Sequence, residues 1–575
     1  MTPTGSAPQP PTASRKPHGF ARQIFTSFLV VGVCWVFLRF GSLIVNSAIT
    51  HIWGPESREN LVYNFLFKQL IMTFLYPSVL GLLRPAFIPL YNDILEAEGT
   101  DAAHRFAQGI LQLGALVGLL IAGVFWFFPE QTVTLMGRGF GPEVRDAIVP
   151  VMRQMAPGVL FLFTSGMYLL VFHAERKFAY PHAAEAVHKI GWGLGILVVG
   201  KVLGLESRAI GLTYTGACAV QLLVSLVGVV RTFGWSTGRP RLPEWFRRWG
   251  TRTAILLVPL LVGMLAARLR DWLTLHYQSE LGTVSFNSIE NARTLTNLPI
   301  AFLGQIVSLV MLPFLSGVLH QGGAAEHRRV LENTIETLCL VSLPVVAVFL
   351  VLAPELVSLV FIPAEWDAQT TQFCYQAGLA TRLISLAFTL MVLENILLPG
   401  LFSIKSLWWP ILWGVAASFL QLVWLLGLAR IRDSIDPLLV LLGVACAYPL
   451  SRVCKNGILL LVLRRKTGLF PGRRFLRTGL RLALILAGTL GACALAKLGT
   501  RAVLGGIPTQ AGVSLLRYKL TLVVQLAIPG AVCGLAFLAL TLALGYGHHL
   551  QSLIRNLRDR KRRQGNSDAL STPEA

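Results

Sequence analysis

The chain has 575 residues, 54% of them hydrophobic and 14% charged, with a mean hydropathy of +0.62 and a formal net charge of +22. A soluble domain carries about 25% charged residues, so this composition excludes one. Its apolar runs of about 20 residues are continuous rather than alternating, which excludes a β-barrel and specifies membrane-spanning helices.

Residues 1–18 are rich in Pro, Ser and Thr. The first apolar run, from about Phe25, is longer than the core of a cleavable signal, so 1–24 reads as a disordered cytoplasmic tail. Fourteen spans are predicted, at about 25–49, 61–83, 106–128, 148–172, 183–203, 209–230, 252–276, 295–317, 335–353, 371–397, 407–428, 437–463, 478–498 and 519–545. Basic clusters run from Arg231 to Arg252, from Arg464 to Arg477 and from Arg555 to Arg563. All three follow even-numbered spans, which puts them on the side of the N-terminal tail, the cytoplasm by the positive-inside rule. That placement accounts for the excess positive charge without a nucleic-acid surface.

The chain repeats itself. The segment from Gly81 to Asp93, with Pro89, and that from Val310 to Gly317, with Pro313, each close an apolar run with proline and a polar exit; the two prolines are 224 positions apart. Phe128-Pro129-Glu130 recurs as Ala353-Pro354-Glu355 at an offset of 225. A near-constant offset indicates a duplicated helical bundle. The expected fold is all-α and polytopic, with two six-helix repeats at 25–231 and 252–463 joined by a basic cytoplasmic linker at 232–251. A basic loop at 464–477, two more helices within 478–546 and a basic cytoplasmic tail at 547–575 complete it. An even number of spans per repeat makes the two copies parallel, about an axis near the membrane normal.

Charges at membrane depth cost about 2.5–3.5 kcal/mol each on insertion scales and mark function by default. Arg39, Lys68, Arg270, Asp271, Arg293 and Arg382 are the candidate substrate-binding residues; Arg268, Glu185, Lys189, Glu394, Arg452 and Lys455 also lie within spans. Lys68 and Arg293 share the offset of 225, which predicts cations at equivalent places in the two repeats. A cation-lined cavity suits phosphate or diphosphate, whose oxygens arginine binds with two nitrogens. The bland alternatives are helix-local pairing for Glu185 with Lys189 and Arg268 with Asp271, and snorkelling to head groups for Arg293 and Arg452. Span seven combines Pro259 and Gly263 with three charges, a composition that can bend. No nucleotide, zinc-hydrolase or nucleophile-elbow motif is present, so neither an enzyme nor an ATP-driven pump is expected. The eight cysteines form no C-x-x-C pair and read as small buried hydrophobes, with no metal site or cofactor. Coupling to the membrane potential or to a monovalent ion stays open.

Over roughly 35–430 the chain resembles the MurJ/MviN family of lipid II flippases, within the multidrug/oligosaccharidyl-lipid/polysaccharide exporter superfamily. The resemblance is carried by Ala86-Phe87-Ile88-Pro89-Leu90-Tyr91 with Glu96-Ala97-Glu98-Gly99, by Leu298-Pro299-Ile300-Ala301-Phe302-Leu303-Gly304 through Leu312-Pro313-Phe314-Leu315-Ser316, and by Leu352-Ala353-Pro354-Glu355 and Arg176-Lys177-Phe178-Ala179-Tyr180-Pro181. Arg39 matches the first arginine of the family's helix-one motif, whose second arginine and acid fall on Val45 and Asn46. The family's A-D-R-L segment appears as Ala292-Arg293-Thr294-Leu295, Lys68 stands near its helix-two arginine, and Asp271 near its helix-seven aspartate. The resemblance implies flipping of an undecaprenyl-diphosphate-linked peptidoglycan precursor across the bacterial inner membrane by alternating access. It also implies a central cationic cavity and a lipid-tail groove at the last two helices. Because the motifs depart from the family's pattern, other lipid-linked oligosaccharides remain alternatives. So do a cation-coupled drug antiporter and a non-transporting scaffold that recruits cell-wall enzymes.

Cysteine labelling from either face of the membrane tests the topology. Residues 231–252, 464–477 and 555–563 are expected on one side and 130–146 on the other; labelling of 231–252 from the face of 130–146 would sink the two-repeat assignment.

Overall fold

The computed structural model describes residues 41–547 except 176, 178, 234–241, 364, 365, 405, 407 and 508–513. Arg39, the tail expected at 1–24, most of the tail expected at 547–575 and the middle of the expected linker lie outside the described residues. Among the described residues every regular element is a helix. The first set is α1 (41–53), α2 (Arg58–Glu98), α3 (Thr100–Phe127), the short α4 (Pro129–Met136), α5 (Pro142–Ala174), α6 (Ala179–Ile196) and α7 (Glu206–Phe233). The second set is α8 (Leu242–Val258 and Gly263–Ser279), α9 (283–322), α10 (Gly323–Phe361), α11 (Ala368–Ser403), α12 (Trp408–Ile431) and α13 (Pro437–Thr467). Two further helices follow, α14 (Arg474–Leu504) and α15 (Leu515–Ala543).

Ten described helices are long and apolar enough to cross a membrane, eleven when the two halves of α8 count as one span. The remaining three of the fourteen expected runs differ for separate reasons. The run at 25–49 is described only from 41. The run at 183–203 is helical but carries Glu185, Lys189 and Lys201, and the run at 295–317 belongs to the helical α9, where most side chains from 301 to 322 lie outside the described residues. The halves of α8 meet at 58°, at the Pro259–Gly263 stretch that the sequence marks as able to bend. Between α9 and α10 the chain turns at Gly323, whose φ of 71° suits a residue without a Cβ.

Helices in lipid associate by close packing, since tails are as apolar as side chains. The α3 helix shows how the sequence arranges this. A Cβ on Gly114 would meet Met167 at 2.2 Å and one on Gly118 would meet Phe163 at 3.0 Å, so this Gly-x-x-x-Gly face admits α5. One turn earlier, Gly109 admits Trp245, whose indole N–H donates to the Phe106 carbonyl at 3.0 Å. Trp249 is buried beside it, and Arg248 pairs with Glu98 at 2.7 Å. The expected linker is therefore helical from Leu242 and continuous with α8. Its two tryptophans, four residues apart, dock on the first set of helices.

The two last helices are fastened to α10 by charge. Glu355 accepts from Lys497 at 2.9 Å and from Arg501 at 2.7 Å, while Lys519 of α15 donates to the carbonyls of Ser358, Leu359 and Ile362 at 3.2, 2.8 and 2.6 Å. A lysine on the last carbonyls of a helix satisfies acceptors that have no partner within it and complements its dipole.

Gly109→Val should unseat Trp245, because a side chain there needs the space the indole occupies. The expected loss is about 1–3 kcal/mol of stability, seen as a lower thermal midpoint of the purified protein. Gly123→Ala, on the same helix with open space around it, should leave the midpoint unchanged.

Candidate functional site

A cavity of about 620 Å3 lies between the two sets of helices. Its lining includes Lys68 and Thr73 of α2, Glu185 and Lys189 of α6, Arg268, Arg270 and Asp271 of α8, Glu290 and Arg293 of α9, and Arg452 of α13. Of the six expected site residues, Lys68, Arg270, Asp271 and Arg293 come together here. Arg39 lies outside the described residues. Arg382 is elsewhere: it lines a separate 250 Å3 groove with Pro354, Trp366, Cys374 and Ile507. It sits on the α11 face turned towards the C-terminal end of α10, away from the cavity, and its Nε is buried without a hydrogen-bond partner among the described residues.

Each cation of the cavity has a geometry of its own. In Tyr63–Leu75 the α2 backbone widens to i→i+5 bonding, a local distortion that recurs at functional sites. Lys68 projects from this stretch, donates to Asn291 Oδ1 at 3.2 Å and lies 5.1 Å above the Tyr63 ring. Arg293 Nη1 donates to Glu290 Oε1 at 2.7 Å and to Gln278 Oε1 at 3.1 Å, and Gln278 Nε2 donates back to Glu290 at 2.9 Å. Arg293 is thus held in a closed ring and does not snorkel. Asp271 lies between two arginines, at 2.6 Å from Arg270 and 3.1 Å from Arg268. Pro77 has no N–H to offer the carbonyl of Thr73 four residues before it; the Arg268 guanidinium donates to that carbonyl and, at 3.3 Å, to that of Phe74. Arg452 pairs with Glu394 of α11 at 2.9 Å, so it too has an interior partner. A buried cation is tolerated where its counter-charge is buried with it.

At one end, polar contacts join the two sets of helices. This is the end of the connections 54–57, 137–141, 280–282 and 362–367, opposite the basic connections. Asn46 donates to Asn291 at 2.9 Å, Asn64 to Asn287 at 2.9 Å, and Asn287 to the Ser57 carbonyl at 3.0 Å. Ser47 donates to the Val360 carbonyl at 3.0 Å and the Thr370 hydroxyl to Glu56 at 3.3 Å. Asp367 caps α11, and the Thr370 N–H at 2.6 Å holds its carboxyl below the usual range; burial pushes that of Glu56 up.

Sequence reasoning missed Glu290, although its spacing of three from Arg293 on one helix is a pairing signal. It also missed the amides: Asn64 and Asn287 stand 223 positions apart, close to the repeat offset.

Asn291→Ala removes the acceptor of both Asn46 and Lys68. The loss of about 1–3 kcal/mol per stranded buried group should favour the open state of this end. Maleimide labelling of a Ser47→Cys reporter should then speed up several-fold, while an unchanged labelling rate would mean that the amides do not hold the two sets together.

The sequence model of the family described as lipid II flippase MurJ matches residues 62–503. A lipid II flippase MurJ of Burkholderia cenocepacia is 23% identical over 495 residues, covering 82% of this chain and 90% of that protein. A probable lipid II flippase MurJ of Rhizobium meliloti is 25% identical over 333 residues, 56% of this chain and 60% of that one. Among solved structures, a lipid II flippase MurJ in an inward closed conformation superposes with a TM-score of 0.67 at 16% identity, covering 90% of this chain and 99% of that one. An inward-facing multidrug resistance transporter of the MATE family gives 0.59 at 13%, covering 75% and 94%. At such identities the structural likeness concerns the fold.

Proposed function

The chain belongs to the lipid II flippase MurJ family, a transport family, and from that membership we propose that it moves lipid II across the membrane by alternating access. The observation that carries this reading is the match over 62–503 together with the cavity that falls within it, where Lys68, Arg268, Arg270, Arg293 and Arg452 converge. A lipid-linked diphosphate carries its negative charges between an apolar tail and a polar head. The cavity offers guanidinium groups for the diphosphate. The long, largely apolar helices around it supply the path for the tail.

The membrane is the bacterial inner membrane, with the basic connections in the cytoplasm, in keeping with the positive-inside distribution of Lys and Arg. The amide contacts close the cavity at the opposite, periplasmic end. Opening that end while the basic end shuts would deliver the head group outward, with the 58° bend in α8 as a place where the helix can straighten. Cell-wall synthesis enzymes that consume the delivered precursor are the natural partners.

Purified protein in lipid vesicles, assayed for appearance of lipid II at the opposite face, tests the reading. Arg293→Gln combined with Lys68→Met should lower the rate at least about tenfold, on the scale of truncating buried charge pairs. Arg293→Lys keeps the charge without the planar fork and should retain an intermediate rate. Native rates from an inserted double variant would overturn the assignment of this cavity.

A further inference from the structure

Behind the cavity-lining Arg452, the packing of α11 on α13 holds a charged group with an unusual balance. Glu394 accepts from Arg452 Nη1 on both oxygens, at 2.9 and 3.0 Å, from Lys455 Nζ at 2.6 Å and from Asn456 Nδ2 at 3.3 Å. Lys455 is buried, and Arg452 lines the cavity. Two cations against one carboxylate leave a positive charge at membrane depth, where a lone charge is penalised. A second anion would complete the group. Arg452 directs a single nitrogen at both carboxylate oxygens and lies 4.9 Å over the Tyr448 ring, so the two-nitrogen fork that suits a phosphate is not spent on Glu394.

The other ion pairs of this cavity among the described residues are local to one helix. Glu290 holds Arg293 three residues on, and Asp271 holds its neighbour Arg270 and Arg268 three residues back. Glu394 instead sits on α11 and both of its cations on α13. Exchange of partners here changes what ties two helices together, which exchange within one helix does not.

We propose that Arg452 and Lys455 form a diphosphate subsite kept closed by Glu394, an internal counter-anion that the incoming substrate displaces. The inference rests on the reading of the cavity as the path of a lipid-linked diphosphate. Displacement frees α11 from α13 when substrate is present, and return of Glu394 expels the diphosphate at the other face. Glu394 is thereby a positioning residue, and binding and release pull in opposite directions on it.

The test uses the purified full chain in lipid nanodiscs, with inorganic pyrophosphate titrated calorimetrically, beside lipid II transport in vesicles. Glu394→Gln leaves both cations without their counter-anion. Pyrophosphate affinity should rise about fivefold or more, while lipid II turnover falls. Lys455→Met leaves a neutral Glu394–Arg452 pair, which is easier to fold, and affinity should fall by a similar factor with the thermal midpoint retained. If both variants lose thermal stability and turnover while folded protein binds pyrophosphate as the native chain does, the group is structural and the subsite is overturned. If Arg293→Gln weakens pyrophosphate binding and these two variants leave it unchanged, the subsite is overturned and the flippase reading stands. If the native chain does not move lipid II, the flippase reading fails and this inference with it.

Discussion

A charge within the hydrocarbon core needs its partner beside it, and the arrangement of helices around the cavity follows from that constraint. Arg293 is ringed by Glu290 and Gln278, Asp271 lies between Arg268 and Arg270, and Glu394 joins Arg452 to Lys455. Each carboxylate makes a cation tolerable at depth, and the surplus of cations leaves the cavity ready for an anion. The same rule explains the attachment of α14 and α15. Glu355 with Lys497 and Arg501, and Lys519 on the end of α10, hold two helices that lipid alone would not press against the bundle.

The fold was largely legible in the sequence because its strongest signals are long and coarse. Apolar runs in particular are read from composition over many residues, so no single position decides them. The span count was harder to read. Around Glu185 and Lys189 a predicted run is helical yet carries enough charge to weaken its reading as a span, and the runs at 25–49 and 295–317 are only partly described. The lining of the candidate cavity was partly legible. Lys68, Arg270, Asp271 and Arg293 line it and stand out in the sequence because intramembrane charge is rare, whereas Arg382 lines another groove because its face of α11 turns towards α10, an orientation set by packing. Glu394 and Arg452 meet across 58 positions, and only the packing of α11 on α13 reveals the pair.

The contacts between the two sets of helices divide by chemistry. At the end of the short connections they are made mostly by neutral amides and hydroxyls, Asn46, Asn64, Asn287 and Asn291 among them, with the Glu56 carboxylate as a charged acceptor. Neutral hydrogen bonds contribute about 0.5–1.5 kcal/mol each, enough in sum to hold an end shut and weak enough individually to be exchanged for water when it opens. Ion pairs across the same seam would be costlier to separate. Lys68 is the exception that links the two regions: one of its contacts is Asn291, an amide of the seam, and its ammonium lines the cavity. An anion that draws Lys68 inward takes a donor away from the seam, so occupancy of the cavity and closure of that end share one side chain.

The two sets of helices differ in the chemistry of their internal junctions. The fourth and sixth membrane helices of the first set, α5 and α7, meet through Ser165 and Ser225, hydroxyl to hydroxyl at 2.9 Å. The corresponding helices of the second set, α11 and α13, meet through Glu394, Arg452 and Lys455. A hydroxyl pair is neutral and stays buried without help. A carboxylate shared by two cations is buried only at a cost, which remains until an anion balances it. On the proposed displacement of Glu394, the second set's junction depends on what the cavity holds, while the hydroxyl pair of the first set does not. On that proposal, binding reshapes the second set against the first across the bent α8, which is docked on the first set by Trp245 and carries Arg268, Arg270 and Asp271 into the cavity.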